Sequence, residues 1–78
     1  MTYIATFYTH AAALMTHRNL IRSGRQAVMM PVPRALSSSC GTSVKFESGD
    51  PADDCMDPDL EAIYAVEPDG YRQIRKND

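Results

Sequence analysis

Two cysteines, two histidines and a run of three serines carry most of the chemical capacity of this 78-residue sequence. Cys40 closes the run Ser37-Ser38-Ser39 and is followed by Gly41. A cysteine attacks as the thiolate, so it needs positive charge or hydrogen-bond donors close by. Three hydroxyls, their amides and a glycine that lets a partner's backbone approach are suitable types. The same five residues also fit a plain turn into a strand, with Cys40 as a small buried hydrophobe. Cys55 lies in Asp53-Asp54-Cys55-Met56-Asp57, where neighbouring carboxylates oppose an anionic sulfur. It fits an incidental loop cysteine, or a resolving thiol if its loop reaches Cys40.

Other chemistries lack their patterns. His10, His17, Cys40 and Cys55 include no pair at recognised ligand spacing, so no metal is expected. There is no glycine-rich phosphate loop and no recognisable Ser-His-Asp signature, and no cofactor is expected. Eight Lys and Arg against ten Asp and Glu leave a net charge of -2, which argues against a nucleic-acid partner. An RNA-binding sheet needs aromatics and cations on its central strands; Phe7 and Phe46 are candidates, but Lys45 is the one cation beside them. Asp50, Asp53, Asp54, Asp57, Asp59 and Glu61 crowd one stretch, as a solvated acidic loop does. The N-terminus has no basic region before an apolar run, and no apolar run nears the roughly 18 residues that span a bilayer. These features predict a soluble cytoplasmic protein with reduced thiols and no membrane partner.

The elements that must position these groups follow from periodicity. Tyr3 to Tyr8 is aromatic and β-branched and predicts a strand partly buried on both faces. Thr9 is placed to cap a helix that opens with Ala11-Ala12-Ala13. Leu14, His17, Leu20 and Ile21, with Ala13, form its expected inner face, Arg18, Arg22 and Arg25 its outer one, and Gly24 its stop. His17 is expected as a satisfied histidine at the core edge. Gln26 to Met30 predicts a second strand stopped by Pro31 and Pro33. Pro33 to Leu36 fits one helical turn. A third strand over Gly41 to Glu47 sets Thr42, Val44 and Phe46 on one face. At most a short helix is expected near Ala52 to Met56. Ala62 to Val66 predicts a fourth strand, Glu67-Pro68-Asp69-Gly70 a turn, and Tyr71 to Ile74 an edge strand. The last four residues, from Arg75, are expected to fray.

The order predicts a single α+β domain over residues 1–78, with a ferredoxin-like split βαβ plan. Its second helix is shortened and an extra C-terminal edge strand is possible. One helix cannot cover both sheet faces, so a homodimer is expected. In this plan the third strand begins at the sheet end where the helix begins, which brings Cys40 near Thr9, His10 and the first helical amides. A helix N-terminus favours an anion, and His10 and Arg34 add positive charge.

The strings Tyr3-Ile4-Ala5-Thr6-Phe7-Tyr8 and Pro33-Arg34-Ala35-Leu36-Ser37-Ser38-Ser39-Cys40-Gly41 resemble a family of small bacterial selenium/sulfur carrier-like proteins. The likeness runs over about residues 3–47 and resumes at Glu61-Ala62-Ile63-Tyr64, with a departure between Ser48 and Leu60. The resemblance implies a ferredoxin-like fold and places the family cysteine on Cys40. It also implies a carrier rather than a turnover enzyme, with sulfur or selenium donor and acceptor proteins as partners. Cys40 is then the nucleophile, His10 and Arg34 give electrostatic support, and Ser38, Ser39 and Gly41 receive the bound anion. The competing reading is a non-catalytic ferredoxin-like interaction module, working through its sheet or its arginine face.

Overall fold

Phe7, Phe46, Tyr3, Val44 and Ile63 bring large side chains to one face of a sheet, and this decides how the helix above them must be built. The computed structural model describes residues 1–77. Its elements are β1 (Thr2–Phe7), α1 (His10–Arg22), β2 (Gln26–Pro31), β3 (Thr42–Glu47), a three-residue 3-10 turn (Asp53–Cys55), β4 (Leu60–Glu67) and β5 (Gly70–Lys76). The strands form one antiparallel sheet in the order β2-β3-β1-β4-β5. The chain is therefore α+β, with a single α-helix among the described residues. The strand order is compatible with a ferredoxin-like plan, with the 3-10 turn where a second helix would stand.

β1 lies centrally and is buried on both faces, more fully than its composition predicts. Tyr3, Ala5 and Phe7 face α1, and the Tyr3 ring stacks on Phe46 with centroids 5.3 Å apart. In β3 the predicted alternation holds, with Val44 and Phe46 buried under the helix. Phe7 and Phe46 are thus core residues, absent from the open face that a nucleic acid would need.

The N-terminus of α1 is capped as expected, Thr9 Oγ1 accepting the Ala12 N–H at 3.1 Å. Its end is a Schellman arrangement: Gly24, at φ +88°, donates to Ile21 O and Arg25 donates to Leu20 O. Such a left-handed residue just past the cap suits glycine. The inner face differs from the expectation. Ala12, Ala13, Thr16 and Leu20 are buried, while Leu14 is 41% and Ile21 49% exposed. The helix sets small Ala12, Ala13 and Thr16 against the bulk of the sheet and buries one large side chain, Leu20, so packing density overrides hydropathy. His17 is a satisfied edge residue, its Nε2 3.2 Å from Ala27 O.

Arg25 also departs from its expected outer position. It lies past the helix and folds inward, with Nε on Ser48 Oγ at 2.9 Å, Nη1 on Ser23 Oγ at 2.7 Å and Nη2 near Asp50. β2 runs on through Pro31, which an edge strand tolerates because its missing N–H faces outward. Pro33 to Leu36 is a single tight turn closed by Leu36 N–H on Pro33 O, not a helical turn. Arg75 to Asn77 are not frayed: β5 includes Arg75 and Lys76, and Asn77 N–H donates to Glu61 O. Asp78 lies outside the described residues. No helix is long and apolar enough to cross a membrane among the described residues.

The helix faces set a test. Leu20→Ala is expected to cost about 2–5 kcal/mol, against less than about 1 kcal/mol for Ile21→Ala, in urea titrations. Equal costs would contradict the packing described.

Candidate functional site

Ser38, Ser39, Gly41 and Thr42 are each held by a bond to another part of the chain, and Cys40 bonds within the segment. Ser38 Oγ donates to Phe7 O at 3.1 Å, which ties the segment to the end of β1. Ser39 presents its N–H to Glu61 Oε1 and its hydroxyl to Glu61 Oε2, each at 3.2 Å. Cys40 is half-buried, packs against the core, and aims its thiol at Thr42 O at 3.5 Å. Gly41 O accepts the Val32 N–H at 3.1 Å. Thr42 Oγ1 lies 3.2 Å from Nδ1 of His10, the first residue of α1.

Cys40 and the start of α1 therefore meet at one end of the sheet, through Thr42 and through Ser38 on β1. The antiparallel course of β3 beside β1 is the cause: Thr6 stands opposite Ser43, so the chain entering β3 passes the exit of β1. His10 touches Thr42 rather than Cys40 itself. Arg34 is exposed in the turn after β2, and no hydrogen bond or ion pair joins it to Cys40 among the described residues. The hydroxyl protons of Ser38 and Ser39 are engaged by Phe7 O and Glu61. Gly41 has φ +74° with nothing within 4 Å of a Cβ built there, so backbone conformation and not space calls for glycine.

Two participants escape a reading of the sequence. Thr42 joins thiol to imidazole, its carbonyl facing Cys40 and its hydroxyl facing His10. Its position in the β3 alternation marks it only as a strand residue. Glu61 grips Ser39 from 22 residues away, and its place in an acidic run disguises it. Beside this grip lies a recess of about 220 Å³ whose walls include Tyr8, Ser37, Glu61, Tyr64 and Lys76.

Cys55 occupies a different place from an incidental loop position. It is 5% exposed, within the core. Its Sγ lies 3.9 Å from Asn19 O and 3.7 Å from Arg25 Nη1. Asn19 is nine residues along α1 from His10, about 13 Å at the helical rise. The two thiols thus belong to opposite ends of the helix, and the loop does not deliver Cys55 to Cys40. The acidic residues around Cys55 serve the chain itself. Asp53 pairs with Arg75 at 2.9 Å, and this hydrogen bond with its charge raises the Arg75 pKa above its ordinary value. No group of histidine, cysteine and carboxylate side chains could hold a metal among the described residues.

The sequence model of the family described as "Putative Se/S carrier protein-like" matches residues 2–54. The chain belongs to this family. The Se/S carrier-like match takes in β1, α1, β2, the whole Cys40 segment and β3, and ends one residue before Cys55. It runs past Glu47 into the acidic stretch as far as Asp54, and it does not include Glu61 to Tyr64. No curated protein and no solved structure matches the chain.

Two outcomes follow from this geometry. In folded protein Cys40 is expected to be alkylated well before Cys55, whose labelling waits for opening of the core; peptide mapping after partial reaction reads the order, and equal labelling would contradict the burial. Gly41→Ala is expected to cost about 1–2 kcal/mol through left-handed strain alone, measured by urea unfolding.

Proposed function

We propose that this chain is a sulfur or selenium carrier that holds a persulfide or perselenide on Cys40 and passes it between partner proteins. The observation that carries the reading is the family match across the segment presenting the half-buried Cys40, while the chain's other thiol is shut in the core.

The chemistry is an exchange with no net redox change. The Cys40 thiolate attacks the outer sulfur of a donor persulfide; a new S–S bond forms on Cys40, the donor S–S bond breaks, and the donor thiolate leaves. An acceptor thiolate then attacks the outer sulfur on Cys40 and releases the Cys40 thiolate. Selenium follows the same course through S–Se bonds. In the thiol form Cys40 donates to Thr42 O. The anion must turn from that carbonyl towards donors, and His10 and Arg34 supply positive charge at the α1 end. Ser38 and Ser39 become donors to the loaded sulfur when they turn from their resting partners, and Gly41 leaves the approach unobstructed. This reading takes the strand order as a ferredoxin-like plan. It has the protein work in the cytoplasm, where thiols stay reduced, as a homodimer packed on the sheet face that no helix covers.

A second reading is favoured by one observation. Leu14, Met15 and Ile21 stand exposed on α1 with Arg18 and Arg22 between them, a face suited to a non-catalytic interaction module.

Inorganic polysulfide separates the two. Attack by Cys40 yields a persulfide and a polysulfide shorter by one sulfur. In the Cys55→Ala protein we expect Cys40 to gain one sulfur atom by intact-protein mass spectrometry and to lose it to excess dithiothreitol. Cys40→Ser should gain none. Equal uptake by both, or uptake by neither, would sink the carrier reading and leave the interaction module.

A further inference from the structure

β4 is irregular where it passes the Cys40 segment. Its register on β1 sets Thr6 opposite Ala62 and then Phe7 opposite Leu60, so Glu61 has no partner on β1 and forms a bulge. In a regular strand successive side chains alternate between faces; a bulge interrupts that alternation and re-aims a side chain. The backbone around the bulge is held from the other side. Glu61 O accepts the Asn77 N–H and Leu60 O accepts Asn77 Nδ2, each at 2.9 Å. Tyr8 Oη in turn donates to Asn77 O at 2.6 Å. From this anchored bulge the carboxylate reaches the amide and the hydroxyl of Ser39 with separate oxygens. Two bonds to one residue fix its orientation as well as its position, and bonds to a charged acceptor exceed neutral ones in strength. Ser39 is the residue before Cys40.

The geometry points to Glu61 as the positioning residue of the Cys40 site. The bulge turns its carboxylate onto Ser39, and this clamp sets the exposure of the Cys40 thiol and keeps it at the Thr42 carbonyl. The purpose of the clamp rests on the carrier reading; its existence does not. It also separates the duties of the serines, with Ser38 tying the segment to β1 and Ser39 tying it to β4. A carboxylate this close opposes an anion at the same place, so the clamp belongs to the resting thiol.

The test uses the full chain with Cys55→Ala, so that one thiol reports. Two quantities are read: the rate of Cys40 alkylation by iodoacetamide, and amide hydrogen exchange at Ser39 and Cys40 with the β1 amides as internal reference. Glu61→Ala is expected to raise both by about tenfold, the scale of one bond to a charged acceptor, with the β1 amides within about twofold of the parent. Glu61→Gln is expected to restore most of the protection, because its Oε1 accepts the Ser39 N–H and its Nε2 donates to the Ser39 hydroxyl. Unchanged alkylation and exchange in Glu61→Ala would overturn the proposal. So would release of the β1 amides to the same extent, since that reports general destabilisation. If Glu61→Ala does not fold, Ser39→Ala decides, removing the hydroxyl arm alone. It should raise alkylation by about threefold, a fraction of one hydrogen bond, and no rise overturns the clamp. Polysulfide loading of the same proteins keeps the two proposals apart. A Cys40 that takes no sulfur while Glu61→Ala still frees the segment contradicts the carrier and supports the clamp. Normal loading with no response to Glu61→Ala does the reverse.

Discussion

Burial of β1 on both faces is the constraint on which the rest of the molecule depends. Its helix-side residues Tyr3, Ala5 and Phe7 and its opposite residues Ile4 and Thr6 are all buried, and it is paired along both edges. A chain this short removes only about 60% of its unfolded surface from water, so a strand that buries every side chain after its first is a large share of what is available. The Cys40 segment hangs from that strand. Phe7, the last residue of β1, lends its carbonyl to Ser38, and Thr9, two residues on, caps the helix that carries His10. A loop tied to a strand buried on both faces is rigidly supported.

The same strand dictates the helix above it. Most of the bulk comes from the sheet, so Ala12, Ala13 and Thr16 with the single large Leu20 form the contact and Leu14 and Ile21 are left outside. This is why the helix was legible in the sequence and its inner face was not. The cap, the alanines and the glycine stop are local signals. Which side faces inward depends on the volume of Phe7 and Phe46, which hydropathy on the helix does not express. β3 was legible to the face because Val44 and Phe46 lie under the helix while Lys45 and Glu47 on the other side are exposed, and alternation reports that difference directly. The end of β5 was obscure for the opposite reason. Arg75 and Lys76 look like a charged tail, yet their backbone pairs with β4 and the Arg75 guanidinium reaches Asp53.

At the site, what depended on topology was legible and what depended on register was not. Antiparallel entry into β3 beside β1 brings Cys40 to the start of α1 whatever the side chains are. The partners of each polar group are another matter. Glu61 meets Ser39 because β4 gains one unpaired residue there, and a shift of one residue leaves no trace in composition or periodicity. The serines were legible as donors, but not the acceptors that occupy them. Their proximity to Cys40 in sequence does not make them its partners in the resting molecule, where Phe7 O and Glu61 hold them.

The other end of the helix shows how a fold with one α-helix closes its core. Where a second helix would lie, a 3-10 turn lowers Cys55 into the apolar cluster. Polar groups fasten that turn: Asn19 Nδ2 donates to Cys55 O at 3.1 Å, Thr16 Oγ1 accepts the Asp57 N–H at 3.0 Å, and Arg75 grips Asp53. Arg25 spans Ser23, Ser48 and Asp50 at the rim, with its guanidinium beside the buried sulfur. Hydrogen bonds take over a task that apolar burial performs in a full two-helix layer. They act only from fixed geometry, so the short acidic loop has to be ordered, with Asp50, Asp53 and Asp57 as structural acceptors. The consequence for chemistry is a division between the thiols. Cys55 is a core residue in a polar-fastened plug, and Cys40 is the half-buried thiol at the opposite end of the helix.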